Sequence, residues 1–88
     1  MSGDQGMLYR LAARNEAEAE AQKACAELTD REREVLVLAA KGMEQRRIAE
    51  SLGLGLSTVQ RYWTVALEKL DVNNGMEAAV IATKAGLV

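Results

Sequence analysis

Arg46 to Leu70 reads RRIAESLGLGLSTVQRYWTVALEKL, two helix-forming runs separated by the turn Gly53-Leu54-Gly55. In the second run Ser57, Gln60, Arg61, Thr64 and Glu68 fall at i, i+3, i+4, i+7 and i+11, so they share one face of a helix. Val59, Trp63, Ala66 and Leu70 line the opposite face. A helix that buries one side and offers short hydrogen-bonding side chains plus an arginine on the other has the chemistry to read base edges in a DNA major groove. The stretch therefore predicts a helix-turn-helix module.

Composition narrows the alternatives. A chain of 88 residues has room for one small domain. It contains neither an apolar run near the ~18 residues of a membrane span nor a secretory core segment. A single cysteine, Cys25, forbids an internal disulfide, and the absence of histidine removes the commonest metal ligand and general base. A reduced, cytoplasmic setting is expected. The absence of proline and phenylalanine, with abundant Ala, Leu, Glu and Arg, predicts an all-α chain. No enzyme, cofactor or metal is expected: no nucleophile is paired with a base, no ligand spacing suits a metal, and GLGLS lacks the lysine of a phosphate loop.

Charge argues the other way. From Thr29 onward eight Lys or Arg face eight Asp or Glu, a net charge of zero. Much of a protein's affinity for DNA comes from phosphate neutralisation and counterion release, so a neutral domain binds weakly as a monomer. Dimerisation would double the contacts.

Along the chain, residues 1–6 read as a disordered start. Met7 to Glu27 is rich in Ala and Glu and reads as a linker helix, with Tyr9, Ala13, Ala17, Ala24 and Leu28 in a thin stripe. Two readings of it stand: a solvated linker of marginal stability, or a helix that dimerises or carries a signal from an upstream domain. Cys25 reads as an inert residue on it. Thr29 with Glu32 forms a capping box, so a helix starts near Asp30, with Val35, Leu36, Leu38 and Ala39 as its apolar side and Gly42 beyond its end. A second helix runs from about Glu44 to Leu52, with Ile48, Ala49 and Leu52 inward and Arg46 and Arg47 beside them. Gly53 allows a positive φ at the turn. The third helix spans about Leu56 to Leu70, with Trp63 packing on the core. Asp71 to Gly75 is a turn, and a fourth helix follows, ended by Gly86.

From Leu28 to Val88 the chain resembles the DNA-binding domain of the LuxR/FixJ/NarL regulators, on the motifs LTDREREVLVLAAKG, IAESLGL, STVQ, LEKLDV and EAAVIATKAGLV. The resemblance implies a four-helix domain over residues 29–88, preceded by the start and linker helix of residues 1–28. It implies base reading by Gln60, Arg61 and Thr64, to which the stripe adds Ser57, and phosphate contacts by Thr58 and Lys69. Arg46 and Arg47 are further phosphate candidates on the second helix. It also implies dimerisation through the fourth helix, at Ala79, Val80, Thr83 and Lys84. The expected partners are double-stranded DNA, a second copy of the chain, an upstream receiver or sensor domain and RNA polymerase, with no membrane.

The departures from the family pattern are specific. Gln60 stands where a basic residue is usual, and an amide suits adenine. Gly55 and Glu44 stand where Ser or Thr would cap the third and second helices, softening those starts by a few tenths of a kcal/mol for the glycine and up to about 1 kcal/mol for the glutamate. Tyr62 replaces a frequent histidine, Val65 a polar residue, and Asn73 and Gly75 basic ones. Two competing readings follow: a sigma-factor promoter-recognition domain, against which the fourth helix argues, and a protein-interaction module that kept the fold and lost DNA affinity.

Overall fold

The computed structural model describes residues 16–88, which are helical over residues 16–26 (α1), Asp30–Ala40 (α2), Gln45–Leu52 (α3), Leu56–Leu70 (α4) and Gly75–Lys84 (α5), with no strand among them. The expected disordered start and the stripe positions Tyr9 and Ala13 lie outside the described residues.

The ends of the helices follow from local chemistry. Thr29 caps α2 as a full capping box: its hydroxyl accepts from the Glu32 amide at 3.3 Å, and Glu32 Oε1 accepts from the Thr29 amide at 2.9 Å. Gly53 ends α3 at φ 67°, with the Leu54 amide donating back to the Ala49 carbonyl at 2.9 Å, which reverses the chain into the turn before α4. As the sequence leads one to expect, neither Glu44 nor Gly55 makes a side-chain cap bond. At the end of α4 a non-glycine residue, Asp71, takes the left-handed conformation at φ 56°, which short polar side chains tolerate best. The turn after it holds a signal that the sequence reading passed over. Asn74 caps α5 by accepting from the Glu77 amide at 2.9 Å, and Glu77 reaches back to the Asn73 amide at 3.2 Å.

α2 organises the packing. Its adjacent residues Val35 and Leu36 are both fully buried, and because neighbours on a helix point about 100° apart they enter two different clusters. Val35 joins Ile48 and Ala49 of α3 and Val59 of α4 beneath the helix-turn-helix. Leu36 joins Ala66 and Leu70 of α4, Ala78, Ala82 and Ala85 at α5, and Ala21, Cys25 and Leu28 of the preceding segment. Trp63 packs against both clusters. A Cβ built on Gly75 would lie 3.2 Å from the Trp63 ring, so a side chain there would press on the indole unless the ring gave by a few tenths of an ångström.

α1 is neither wholly solvated nor free. Of the expected stripe, Leu28 is buried and Ala17 and Ala24 are half-buried, and the structure adds Ala21 and Cys25 as its most buried members on the helix. The boundary expected between residues 28 and 29 therefore does not coincide with a break in packing. Reading Cys25 for its thiol chemistry hid its packing role, because a buried cysteine acts as a small hydrophobe. Burial raises its thiol pKa, with the nearby Arg33 charge opposing, so the thiolate is disfavoured.

One ion pair joins distant elements. Lys69 Nζ lies 2.7 Å from Oε1 of Glu32, which is only 5% exposed. Burial pushes the Glu32 carboxyl up, but the hydrogen bond from Lys69, the bonds from Thr29 and the Lys69 charge together hold it below its ordinary value. The folded pKa is thus lower than the unfolded one. Its stabilising contribution is complete above the ordinary glutamate pKa and is lost as the pH falls through the lower folded value. Thermal midpoints of the parent and of Glu32→Gln, compared from about pH 7 to about pH 3, should therefore converge at the acid end. A constant gap over that range would remove the carboxylate as the source.

Candidate nucleic-acid interface

On α4 the two faces separate as the spacing predicts. Ser57, Gln60, Arg61, Thr64 and Glu68 are all exposed, while Val59, Ala66 and Leu70 are buried and Trp63 half-buried. The reason is the period: with Val59 and Ala66 held in the core, residues about half a turn away must face water. Tyr62 and Val65 are half-buried at the margin of the face, and Thr58 is half-buried in the first turn.

The groups on this exposed face differ in what they can offer. Arg61 carries five donors in a planar fork, suited to the O6 and N7 acceptors of guanine, and Gln60 carries one donor set and one acceptor, suited to adenine. Thr64 is more restricted, because its hydroxyl donates to the Gln60 carbonyl at 2.9 Å. That leaves it a lone pair and a methyl group, fit to accept from a base amine or to pack on the thymine methyl. Ser57, by contrast, makes no hydrogen bond through its side chain among the described residues, so its hydroxyl can donate or accept.

The internal ion pairs partition the charge that the sequence leaves balanced. Arg31 pairs with Glu34 at 3.0 Å, Arg33 with Asp30 at 3.9 Å and Lys69 with Glu32 at 2.7 Å. From Thr29 onward Lys41, Arg46, Arg47, Arg61 and Lys84 make no ion pair among the described residues, and all five are exposed. Three of them stand at the corner from α2 into α3, where Lys41 and Arg47 line one shallow concavity with Gly42, Met43 and Glu44. Lys41 was not among the sequence candidates. Its position just ahead of Gly42, where α2 has to end, is the signal that it leaves the helix and projects at the corner.

Lys69 is placed differently from the rest. Although it belongs to the last turn of α4, its ammonium is held by Glu32 and by the Glu27 carbonyl at 3.3 Å. The structure thus groups Ser57, Gln60, Arg61 and Thr64 on one exposed face and puts Lys69 in a joint with α2.

On α5, Val80 is 47% exposed and Met76 80% exposed, with Ala79 half-buried between them and Thr83 and Lys84 exposed. These five residues line a shallow, largely apolar depression. Met76 extends the expected dimer set by one turn of helix. No helix among the described residues is long and apolar enough to cross a membrane, and no group of acidic or sulfur side chains among them could hold a metal ion.

Residues 26–82 match the family described as "Bacterial regulatory proteins, luxR family". The chain is similar to the transcriptional regulatory protein DesR of Bacillus subtilis, 44% identical over 59 residues that make up 67% of this chain and 30% of DesR. It is 43% identical over 61 residues to LiaR of the same organism, covering 69% of this chain and 29% of LiaR. To the DNA-binding transcriptional activator DevR/DosR of Mycobacterium tuberculosis it is 38% identical over 66 residues, 75% of this chain and 30% of that protein. The chain thus spans less than a third of the length of these relatives.

Proposed function

We propose, from the premise that the chain belongs to the luxR family of bacterial regulatory proteins, that it is the DNA-binding part of a transcriptional regulator, laying α4 in the major groove of double-stranded DNA. The observation that carries this reading is the exposed row Ser57, Gln60, Arg61 and Thr64, opposite a fully buried Val59 and Ala66. Arg61, Gln60, Ser57 and Thr64 read bases, and Lys41, Arg46, Arg47 and Thr58 supply phosphate contacts. The balanced charge of residues 29–88 does not forbid this, because Lys41, Arg46, Arg47 and Arg61, all exposed and in no ion pair among the described residues, stand on α4 or at the corner into α3.

With so few free cations a single copy binds weakly, so the functional unit is a homodimer on an inverted repeat, joined through Met76, Ala79, Val80 and Thr83 of α5. The similarity to longer regulators, of which the chain covers about 30%, supports an upstream receiver or sensor domain that controls pairing, and a cytoplasmic location at the nucleoid. RNA polymerase would be the downstream partner.

Fluorescence anisotropy on a site selected from random DNA, at about 50 mM salt where phosphate contacts are strongest, tests the DNA reading. Saturable binding that weakens steeply with salt supports it. Absence of binding would leave the chain as a protein-interaction module with this fold. Val80→Lys tests the dimer: Val80 is already half exposed, so the variant should fold normally, bind a single half-site as the parent does and lose the added affinity for the paired site. Equal affinity of parent and variant for the paired site would move the interface elsewhere.

A further inference from the structure

Carbonyls in the last turn of α1 and in the two residues just past it are held by cations from two other helices. Arg33 of α2 donates to the carbonyls of Cys25 and Leu28, each at 3.5 Å. Lys69 of α4 donates to the carbonyl of Glu27 at 3.3 Å and to Glu32 Oε1 at 2.7 Å. The same Glu32 oxygen accepts the Thr29 amide that starts α2. Cys25 lies in the last turn of α1, where a helix carries its negative end charge, and Glu27 and Leu28 follow directly, so Arg33 and Lys69 together tie this stretch of chain to α2 and α4. Here one of those cations stands on the helix that carries Gln60 and Arg61.

We infer that Lys69 is a positioning residue: it pins the end of α1 and the capping box of α2 to the last turn of α4, so that the segment entering the domain and the groove-facing helix move as one body. Nearby burial supports this. Cys25 and Leu28 of the entering segment share a cluster with Leu70, the neighbour of Lys69, so ion pair and core close the same junction. An upstream domain continuous with α1 would thereby set the orientation of α4 directly, without a slack linker. The consequence for DNA rests on the function proposed above, whereas the joint itself does not. Glu32 and Glu27 engage two of the three donors of Lys69, so on this reading its role is the joint rather than a phosphate contact.

The test uses the whole 88-residue chain. Lys69→Met alone would strand a buried carboxylate and could unfold the protein, so the informative variant is Glu32→Gln with Lys69→Met, which keeps an acceptor for Thr29 and removes both charges. Hydrogen exchange, measured without DNA, should quicken about tenfold at amides of residues 20–28, the scale of one lost charge-assisted hydrogen bond. Exchange at Ile48, Ala49 and Val59 should hold steady. Lys69→Arg in the parent background, which keeps a cation for Glu32, should leave exchange slow. Unchanged exchange over residues 20–28 overturns the joint. On DNA, the slope of log affinity against log salt should be the same for parent and double variant; a slope reduced by about 0.9, the signature of one lost phosphate contact, would return Lys69 to the interface and overturn the proposal. If the parent binds no DNA, the functional reading fails while the exchange measurement still decides the joint.

Discussion

Trp63→Ala is expected to lower stability by about 3 kcal/mol or more, enough to leave a substantial unfolded fraction in so small a domain. The magnitude follows from position. The indole packs against both clusters, the one under the helix-turn-helix around Val35, Ile48 and Val59 and the one around Leu36, Ala66 and Leu70. Many residues of the second cluster are alanines, each of which buries little apolar area, so a single large ring supplies a disproportionate share of the total. The ring is half-buried rather than fully enclosed, which sets the effect near the low end of the range for a tryptophan truncation. Removing it would also open the space against Gly75, where α5 begins. Thermal unfolding followed by circular dichroism measures the loss. Trp63→Phe should recover most of it, and a melting temperature within a few degrees of the parent for Trp63→Ala would show that the two clusters hold together without the ring.

Arg61→Ala is expected to cost about 1–3 kcal/mol of DNA affinity and to relax the preference at one base pair. Arg61 is exposed, makes no ion pair among the described residues and stands in the middle of the α4 row, so the substitution should leave the melting temperature unchanged. That separation of binding from stability distinguishes it from Trp63. Gln60→Ala should cost less, since a neutral amide contact is weaker than one made by a guanidinium. Binding to a panel of single-base variants of the selected site reads both effects. Equal losses across the panel would make Arg61 a phosphate contact, and no loss at all would mean that another face of α4 enters the groove.

Much of this fold was legible because its signals are local. Thr29 and Glu32 stand three residues apart and form the capping box that their identities predict. Gly42, Gly53 and Gly86 all take positive φ where helices end. The row on α4 follows from a period of 3.6 and needs no knowledge of what the opposite face touches. Asn74 with Glu77 was equally local, and was passed over because Asn-Asn-Gly also reads as a plain turn.

The remainder was decided by contacts between residues far apart in the chain. Lys69 has the sequence context expected of a phosphate ligand, a cation in the last turn of α4, yet its partners lie 37 and 42 residues earlier. Cys25 looks like a surface thiol on a polar helix until α2, α4 and α5 close over it. The balance of eight cations against eight anions from Thr29 onward is a property of the sequence, whereas which of them neutralise one another depends on helix packing. By itself the sequence determined the helices, their ends and the face of α4 that stays exposed, because those rest on hydrogen bonds and side-chain periods within a few residues. Only the tertiary structure decided that α1 belongs to the core and that Lys69 serves as a pin, because both depend on bringing distant segments within a hydrogen bond of each other.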